Sequence, residues 1–252
     1  MKLALIFLPM RLEKNWPVLK AQDDEIGIMP PLSLAYVAAV AEKAGHEVVL
    51  IDAVAEGLSF EEIIERISSF SPHLLWFTIT TYGLHQNLDW IKKIKERTKL
   101  PIVVGGWHLS LYPQETMAHP EIDYAVTGEA DSTLPHFLKA LEDDGDLRGV
   151  NGLAFRQGEE VIVNSPADTL PDIDTTPFPA RHLLKNNRYY NVLVKRRNFT
   201  VMLSARGCPF RCIFCDLKTK KFRMRSPENF VDEIESCYKD FGIRSIDIYD
   251  SS

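Results

Sequence analysis

An α/β fold with a parallel sheet is predicted by three features of the first 145 residues of this 252-residue chain. Short apolar runs recur between stretches of helical periodicity. Some of these runs are continuously apolar, and small residues cluster where they end. A continuous run such as Val48-Val49-Leu50-Ile51 suits a strand covered on both faces, as in parallel sheets. Strand–helix alternation requires βαβ crossovers. The character changes at residue 146 and again at 199, dividing the chain into 1–145, 146–198 and 199–252.

Lys2–Leu8 reads as the first strand. Its apolar start resembles a signal peptide, but Pro9 and Arg11 interrupt it and no small-residue cleavage site follows. Pro30-Pro31 opens a helix over Leu32–Ala44, and Gly45 closes it. Glu47–Asp52 is the second strand. Ser59 caps a helix over Phe60–Phe70, with Glu62 completing a capping box. His73–Thr78, Pro101–Val104 and Ile122–Val126 are the third, fourth and fifth strands. Leu84–Thr98 and a segment from about Ser132 to Leu141 are helical.

Ligands on such sheets sit at the carboxyl ends of the strands. Here those ends carry Thr78-Ile79-Thr80-Thr81-Tyr82, Gly105-Gly106-Trp107-His108 and Thr127-Gly128-Glu129. Small residues let backbone approach a broad flat ligand, and hydroxyls bond its polar arms; tight βα turns also favour glycine.

Residues 152–164 form a β-hairpin around Gly158, and Pro166, Pro171, Pro177 and Pro179 punctuate the linker that follows. Phe199–Ala205 is a strand, Pro227–Phe241 a helix with Phe230, Ile234 and Tyr238 at spacing four, and Arg244–Asp250 the next strand. Between the first strand and the helix lies Cys208-Pro-Phe-Arg-Cys212-Ile-Phe-Cys215, three of the four cysteines within eight residues. Three thiolates hold three irons of a 4Fe–4S cluster and leave the fourth open. Zinc normally asks for a second cysteine or histidine pair, and none exists. Three crowded cysteines cannot all pair as disulfides. Cys237, on the helix, reads as a packed small hydrophobe.

Composition is that of a soluble globular chain, and no apolar run reaches the ~20 residues of a membrane span. A cytoplasmic location follows as an expectation, since reduced thiolates fit that compartment. The net charge of −6 divides into −12 over residues 1–184, +11 over 185–225 and −5 over 226–252. The basic stretch surrounds the cysteines, so it either balances an anionic cluster or substrate, or meets acidic neighbours.

The C-x3-C-x-aromatic-C pattern resembles the radical S-adenosylmethionine (radical SAM) superfamily. That resemblance implies that Cys208, Cys212 and Cys215 ligate the cluster, with Phe214 beside the adenine of SAM. Pro30-Pro31-Leu32-Ser33-Leu34-Ala35-Tyr36, Ala44-Gly45-His46-Glu47-Val48, Val103-Val104-Gly105-Gly106-Trp107-His108 and Thr127-Gly128-Glu129 resemble the cobalamin-binding domain that precedes many radical SAM domains. This implies a flavodoxin-like (Rossmann-like) five-stranded domain over 1–145, then a linker, then the first βα unit of an incomplete (β/α) barrel. It also implies cobalamin contacts from Thr78, Thr80, Thr81, Tyr82, Gly105, Gly106, His108, Gly128 and Glu129. The Asp-x-His-x-x-Gly string of cobalt-ligating histidines is absent, so cobalt is expected to lack a protein histidine ligand.

The expected function is therefore that of a cobalamin-dependent radical SAM enzyme. It would cleave SAM reductively to a 5′-deoxyadenosyl radical and methylate, cyclise or rearrange a small-molecule substrate. Its electron would come from a donor such as flavodoxin or ferredoxin; nucleic acid is not an expected partner, and no further catalytic side chain is singled out. With only the first of about six barrel units, the chain alone is expected to be an inactive fragment. A non-catalytic cofactor sensor and a tRNA methylthiotransferase are the alternatives. The latter carries three more cysteines in its N-terminal domain, and residues 1–207 contain none.

Anaerobic reconstitution with iron and sulfide should give about one 4Fe–4S cluster per chain. Cys208→Ala, Cys212→Ala and Cys215→Ala should each abolish it, and Cys237→Ala should not. Iron and sulfide assays decide this; a zinc-only protein, or an equally dead Cys237 variant, overturns it.

Overall fold

A computed structural model describes residues 1–9, 27–194, 198–215 and 221–251. Five strands run parallel: β1 (Lys2–Phe7), β3 (Glu47–Asp52), β4 (Leu74–Thr78), β5 (Ile102–Gly105) and β6 (Tyr124–Val126). The short β2 (Gly27–Ile28) lies outside their sheet, whose order is β3-β1-β4-β5-β6. Side-chain alternation with period two feeds two apolar layers, one on each face. Leu3, Leu5, Leu74, Trp76 and Val103 enter one layer with helices α1 (Leu32–Lys43) and α7 (Ala130–Glu142). Ala4, Ile6, Leu75, Phe77 and Val104 enter the other with α3 (Phe60–Phe70) and α4 (Leu84–Thr98). Asp52 ends β3 and caps the single turn α2 (Ala53–Glu56) by accepting from the Val54 and Ala55 amides.

The expected capping box is present: Glu62 accepts from the Ser59 amide at 2.8 Å while Ser59 Oγ accepts from the Glu62 amide. Two short helices absent from the sequence reading follow β5: α5 (Trp107–Leu111) and α6 (Pro113–Met117). Each is too short to show periodicity, and Pro113 starts the second at the position where its missing N–H costs nothing.

The parallel sheet of five strands is extended by two more. The hairpin β7 (Leu153–Gln157) and β8 (Glu160–Val163), expected within the linker, adds antiparallel to β6, with Tyr124 opposite Phe155. A bare β6 edge would leave main-chain groups unpaired. Leu153, Ala154 and Phe155 are buried in the two layers, which holds the hairpin there.

The remainder of the linker lies against the domain. The Ala180 amide donates to the Ala35 carbonyl at 2.9 Å, and Tyr189 Oη donates to Asp52 at 2.7 Å. Burial together with the Asp52 carboxylate raises the Tyr189 pKa far above the phenol range, so it stays a donor. β9 (Tyr190–Asn191) pairs with β2.

The last unit begins with β10 (Phe199–Met202), followed by the ribbon of β11 (Ala205–Arg206) and β12 (Arg223–Met224). Helix α8 (Pro227–Lys239) leads to β13 (Ser245–Ile248), which pairs parallel with β10. No closed barrel forms among the described residues. Cys237 packs with Met202 and Ile243, and burial pushes its thiol up to about 11, as its reading as a hydrophobe requires.

A buried ionic group ties this unit to the linker. Arg181 donates to Glu233 Oε1 at 2.7 Å and to the Val201 carbonyl at 3.0 Å, and Arg225 closes on Glu233 Oε2. Arg181 and Glu233 are 2% and 1% exposed, so neither charge can fall back on water. Removing one member of such a group strands the others. Glu233→Ala should cost about 3–5 kcal/mol. Urea unfolding of the full chain measures this; a loss below about 1 kcal/mol, the worth of a surface pair, would show that the network carries little.

Candidate functional site

Because β4, β5 and β6 run parallel, their carboxyl ends open at one edge. A cleft of about 330 Å³ lies there. Trp76, Thr78, Gly105 and Val126 line it from the sheet, Ser33 and Tyr36 from the first turns of α1. Leu203, Ala205, Arg206 and Gly207, immediately before the cysteines, line its other side. Two distant stretches of chain thus share one space.

Of the residues read from sequence, Thr78, Gly105, Gly106, Gly128 and Glu129 line the cleft. Thr80, Thr81, Tyr82 and His108 do not. Thr80 Oγ1 accepts from the Gly83 amide at 3.4 Å, and Tyr82 is 72% exposed. His108 is buried, its Nδ1 3.1 Å from Thr81 Oγ1 and its ring 5.3 Å from Tyr112. Its Nε2 has no hydrogen-bond partner among the described residues.

The glycines have separate reasons. Gly106 has φ +117°, and a Cβ there would stand 2.4 Å from the Ile79 carbonyl oxygen, so the turn itself demands glycine. A Cβ on Gly105 would meet the Trp76 ring at 2.9 Å. Gly128 has φ +79° with open space beside it, so only its conformation is restricted. A bulky residue at 106 would therefore report on the turn before it reported on any ligand.

Sequence reasoning missed Trp76, Ser33, Tyr36, Asp131 and Arg206. Ser33 and Tyr36 stand three apart at the start of α1, which places both on one face toward the sheet edge. The Trp76 indole N–H is buried with no partner among the described residues, the mark of a donor lacking its acceptor.

Charge is concentrated on the rim. Glu129 Oε2 accepts from Arg206 Nη1 at 3.0 Å and Arg223 Nη1 at 3.2 Å, and Oε1 takes Arg223 Nη2. Asp131 also pairs with Arg206, whose guanidinium lies 5.0 Å from the Tyr36 ring centroid. Burial opposes the charge on Arg206, and the Asp131 and Glu129 carboxylates outweigh it, so Arg206 stays cationic. Burial, the largest influence on Tyr36, lifts its hydroxyl to about 12 and keeps it protonated.

Cys208 and Cys215 are half-buried, Cys212 is exposed, and none is in a disulfide. The Cys215 amide donates to the Cys212 carbonyl at 3.1 Å, a tight turn that keeps those two residues adjacent. Phe210, Ile213 and Phe214 are 64%, 91% and 89% exposed, so the loop presents apolar side chains outward. No group of three or more histidine, cysteine or acidic side chains converges on a metal position among the described residues. The donor chemistry nonetheless fits an iron–sulfur cluster: three free thiols, with the nearby Glu129 and Asp131 carboxylates engaged by arginines. The cleft fits part of a broad polar disc, with glycine backbone at its floor, small hydroxyls on its walls and the unpartnered indole donor.

Residues 26–138 match the profile of the B12 binding domain. A methyltransferase of Pyrococcus horikoshii, itself uncharacterized, is 32% identical over 228 residues, covering 88% of this chain and 49% of that protein. The anaerobic magnesium-protoporphyrin IX monomethyl ester cyclase of a Synechocystis strain is 29% identical over 89% of this chain and 46% of its own length. The chain thus spans about half the length of these curated relatives. The radical S-adenosylmethionine methyltransferase TsrM from Kitasatospora setae, solved with cobalamin and a [4Fe-4S] cluster, shares the fold at a TM-score of 0.71. It is 20% identical over all of this chain and 47% of TsrM. No described helix is long and apolar enough to cross a membrane.

Burial raises the Glu129 pKa, but the Arg223 hydrogen bonds and the Arg206 charge together hold it below its ordinary 4.5. A carboxylate depressed in the fold adds stability above its unfolded pKa, and that stability is lost as pH falls through the folded value. The advantage of wild type over Glu129→Gln in urea should therefore be larger at pH 7 than below pH 4. An advantage that is flat with pH would contradict the ionic account of this rim.

Proposed function

We propose that this chain, whose B12 binding domain match and methyltransferase relative support the reading, provides the cobalamin and iron–sulfur portions of a radical SAM methyltransferase acting on a small molecule. One observation carries the reading: the cleft at the carboxyl edge of the sheet is completed by residues 203–207, directly before Cys208. Groups held by the two regions would therefore face a single space.

In this reading Cys208, Cys212 and Cys215 hold a 4Fe–4S cluster, and Phe214 lies beside the adenine of SAM. Thr78, Ser33 and the glycine backbone at 105 and 128 hold cobalamin. When bound, the cluster supplies the electron for reductive cleavage of SAM, and cobalamin carries the methyl group. The chain's own residues do the positioning. Trp76 offers its buried N–H to an acceptor on the ligand, and Arg206 keeps a positive charge at the rim. No histidine lines the cleft among the described residues, so cobalt takes no imidazole from this wall. The electron comes from a small donor protein of the flavodoxin or ferredoxin type, in a reducing, cytoplasmic setting.

The test is a hydroxocobalamin titration followed by its visible spectrum. Ser33 is exposed on α1 and lines the cleft, so Ser33→Trp should fill the cleft without disturbing the core. It should weaken binding about tenfold or more, roughly 1.4 kcal/mol, at an unchanged thermal midpoint. His108→Ala should leave the cobalt spectrum as in wild type. A wild-type protein that binds no cobalamin sinks the reading, and a spectrum shifted by His108→Ala alone replaces it with a histidine-ligated site.

A further inference from the structure

The cleft and the cysteine loop share one set of charges. Glu129 stands just beyond the end of β6 and accepts from both strands of the β11–β12 ribbon: Arg206 at 3.0 Å, and Arg223 through two nitrogens. Arg206 and Arg223 are register partners, so two guanidiniums stand side by side with Glu129 between them. Like charges at directly opposed positions drive strands apart. Here the repulsion is not diluted by water, because the arginine side chains are 14% and 7% exposed. Asp131 neutralises Arg206 alone; among the pairs found, only Glu129 meets both arginines.

The ribbon is also the base of the cysteine loop. Gly207 and Cys208 follow Arg206 directly, and Gly207 has φ +79°, which turns the chain away from the ribbon. Glu129 belongs to the cleft wall at the same time. Its carboxylate oxygens are both occupied by arginine, so its link to the cofactor region runs through the ribbon rather than by contact.

We infer that Glu129 is a positioning residue that fixes the cysteine loop against the mouth of the cleft, so that filling one region alters the other. For the identity of the ligands this rests on the function proposed above; the placement of the loop does not. By linkage, a cluster that orders the loop raises the affinity of the cleft, and a ligand in the cleft favours the cluster by the same factor.

The experiment uses the full chain and two variants, Glu129→Gln, which removes the charge, and Glu129→Asp, which keeps it. In the reduced apoprotein, iodoacetamide labelling mapped by mass spectrometry should show Cys208 reacting about tenfold faster in Glu129→Gln, the scale of one lost charge-assisted hydrogen bond. Cys237, in the core of the last unit, should be unchanged, and Glu129→Asp should lie between the variant and wild type. Hydroxocobalamin should bind the iron-reconstituted wild type about 5–150-fold more tightly than the apoprotein, a ratio that falls to about one in Glu129→Gln. Equal Cys208 rates in wild type and variant overturn the inference. So does acceleration of Cys208 and Cys237 together, which is general unfolding. A wild-type affinity indifferent to reconstitution overturns the coupling. If hydroxocobalamin binds neither protein, the proposed function fails while the labelling still decides the role of Glu129.

Discussion

Parallel pairing of β1, β3, β4, β5 and β6 is the constraint on which the rest depends. Parallel strands cannot be joined by tight turns, so each must be followed by a crossover that returns to the opposite edge. Every strand-to-helix loop therefore emerges on one side. Thr78, Gly105 and Gly128, spread over fifty residues of sequence, become neighbours around one cleft for that reason. The same pairing demands cover on both faces, and it is met by the two apolar layers and by the hairpin that closes the β6 edge.

The second organising influence is electrostatic. The acidic first part of the chain and the basic stretch around the cysteines meet at defined places rather than as diffuse fields. Glu129 and Asp131 receive Arg206 and Arg223, and Asp174 accepts from the Ser226 amide at the start of α8. Glu233 of the last unit neutralises Arg181 of the linker and Arg225. The half-buried rim holds its charges because each is paired; a lone guanidinium at Arg206 would be costly where it sits.

Much of the first domain was legible because it is written in short-range patterns. The capping box at Ser59 and Glu62, the run Val48–Ile51 and the helix Leu84–Thr98 follow from period, cap and propensity. The two small helices after β5 lack enough turns to show a period. The hairpin at 153–163 was visible as a hairpin but not as part of the sheet, because its partner β6 lies more than twenty residues away and pairing across that distance leaves no local mark. At the site, glycine and threonine at strand ends were readable, and five of the nine residues so read reach the cleft. Thr80, Thr81, Tyr82 and His108 turn elsewhere, since a loop's direction is decided by packing such as Thr81 against His108. Trp76 was hidden by its position inside a strand that otherwise reads as core, and the Glu129 latch by a separation of more than seventy residues from Arg206.

The Arg181–Glu233 pair also has a place in time. Its partners are separated by 52 residues, with Arg181 made first. At ordinary rates of synthesis, about 5–20 residues per second, Arg181 leaves the ribosome roughly 3–10 s before the carboxylate that neutralises it. The sheet through β8 can close during that interval, but the segment around Arg181 cannot bury its guanidinium and must wait against the finished domain. The cysteines at 208, 212 and 215 are likewise made only after every strand of the large sheet, so the unit that bears them has that sheet to dock against.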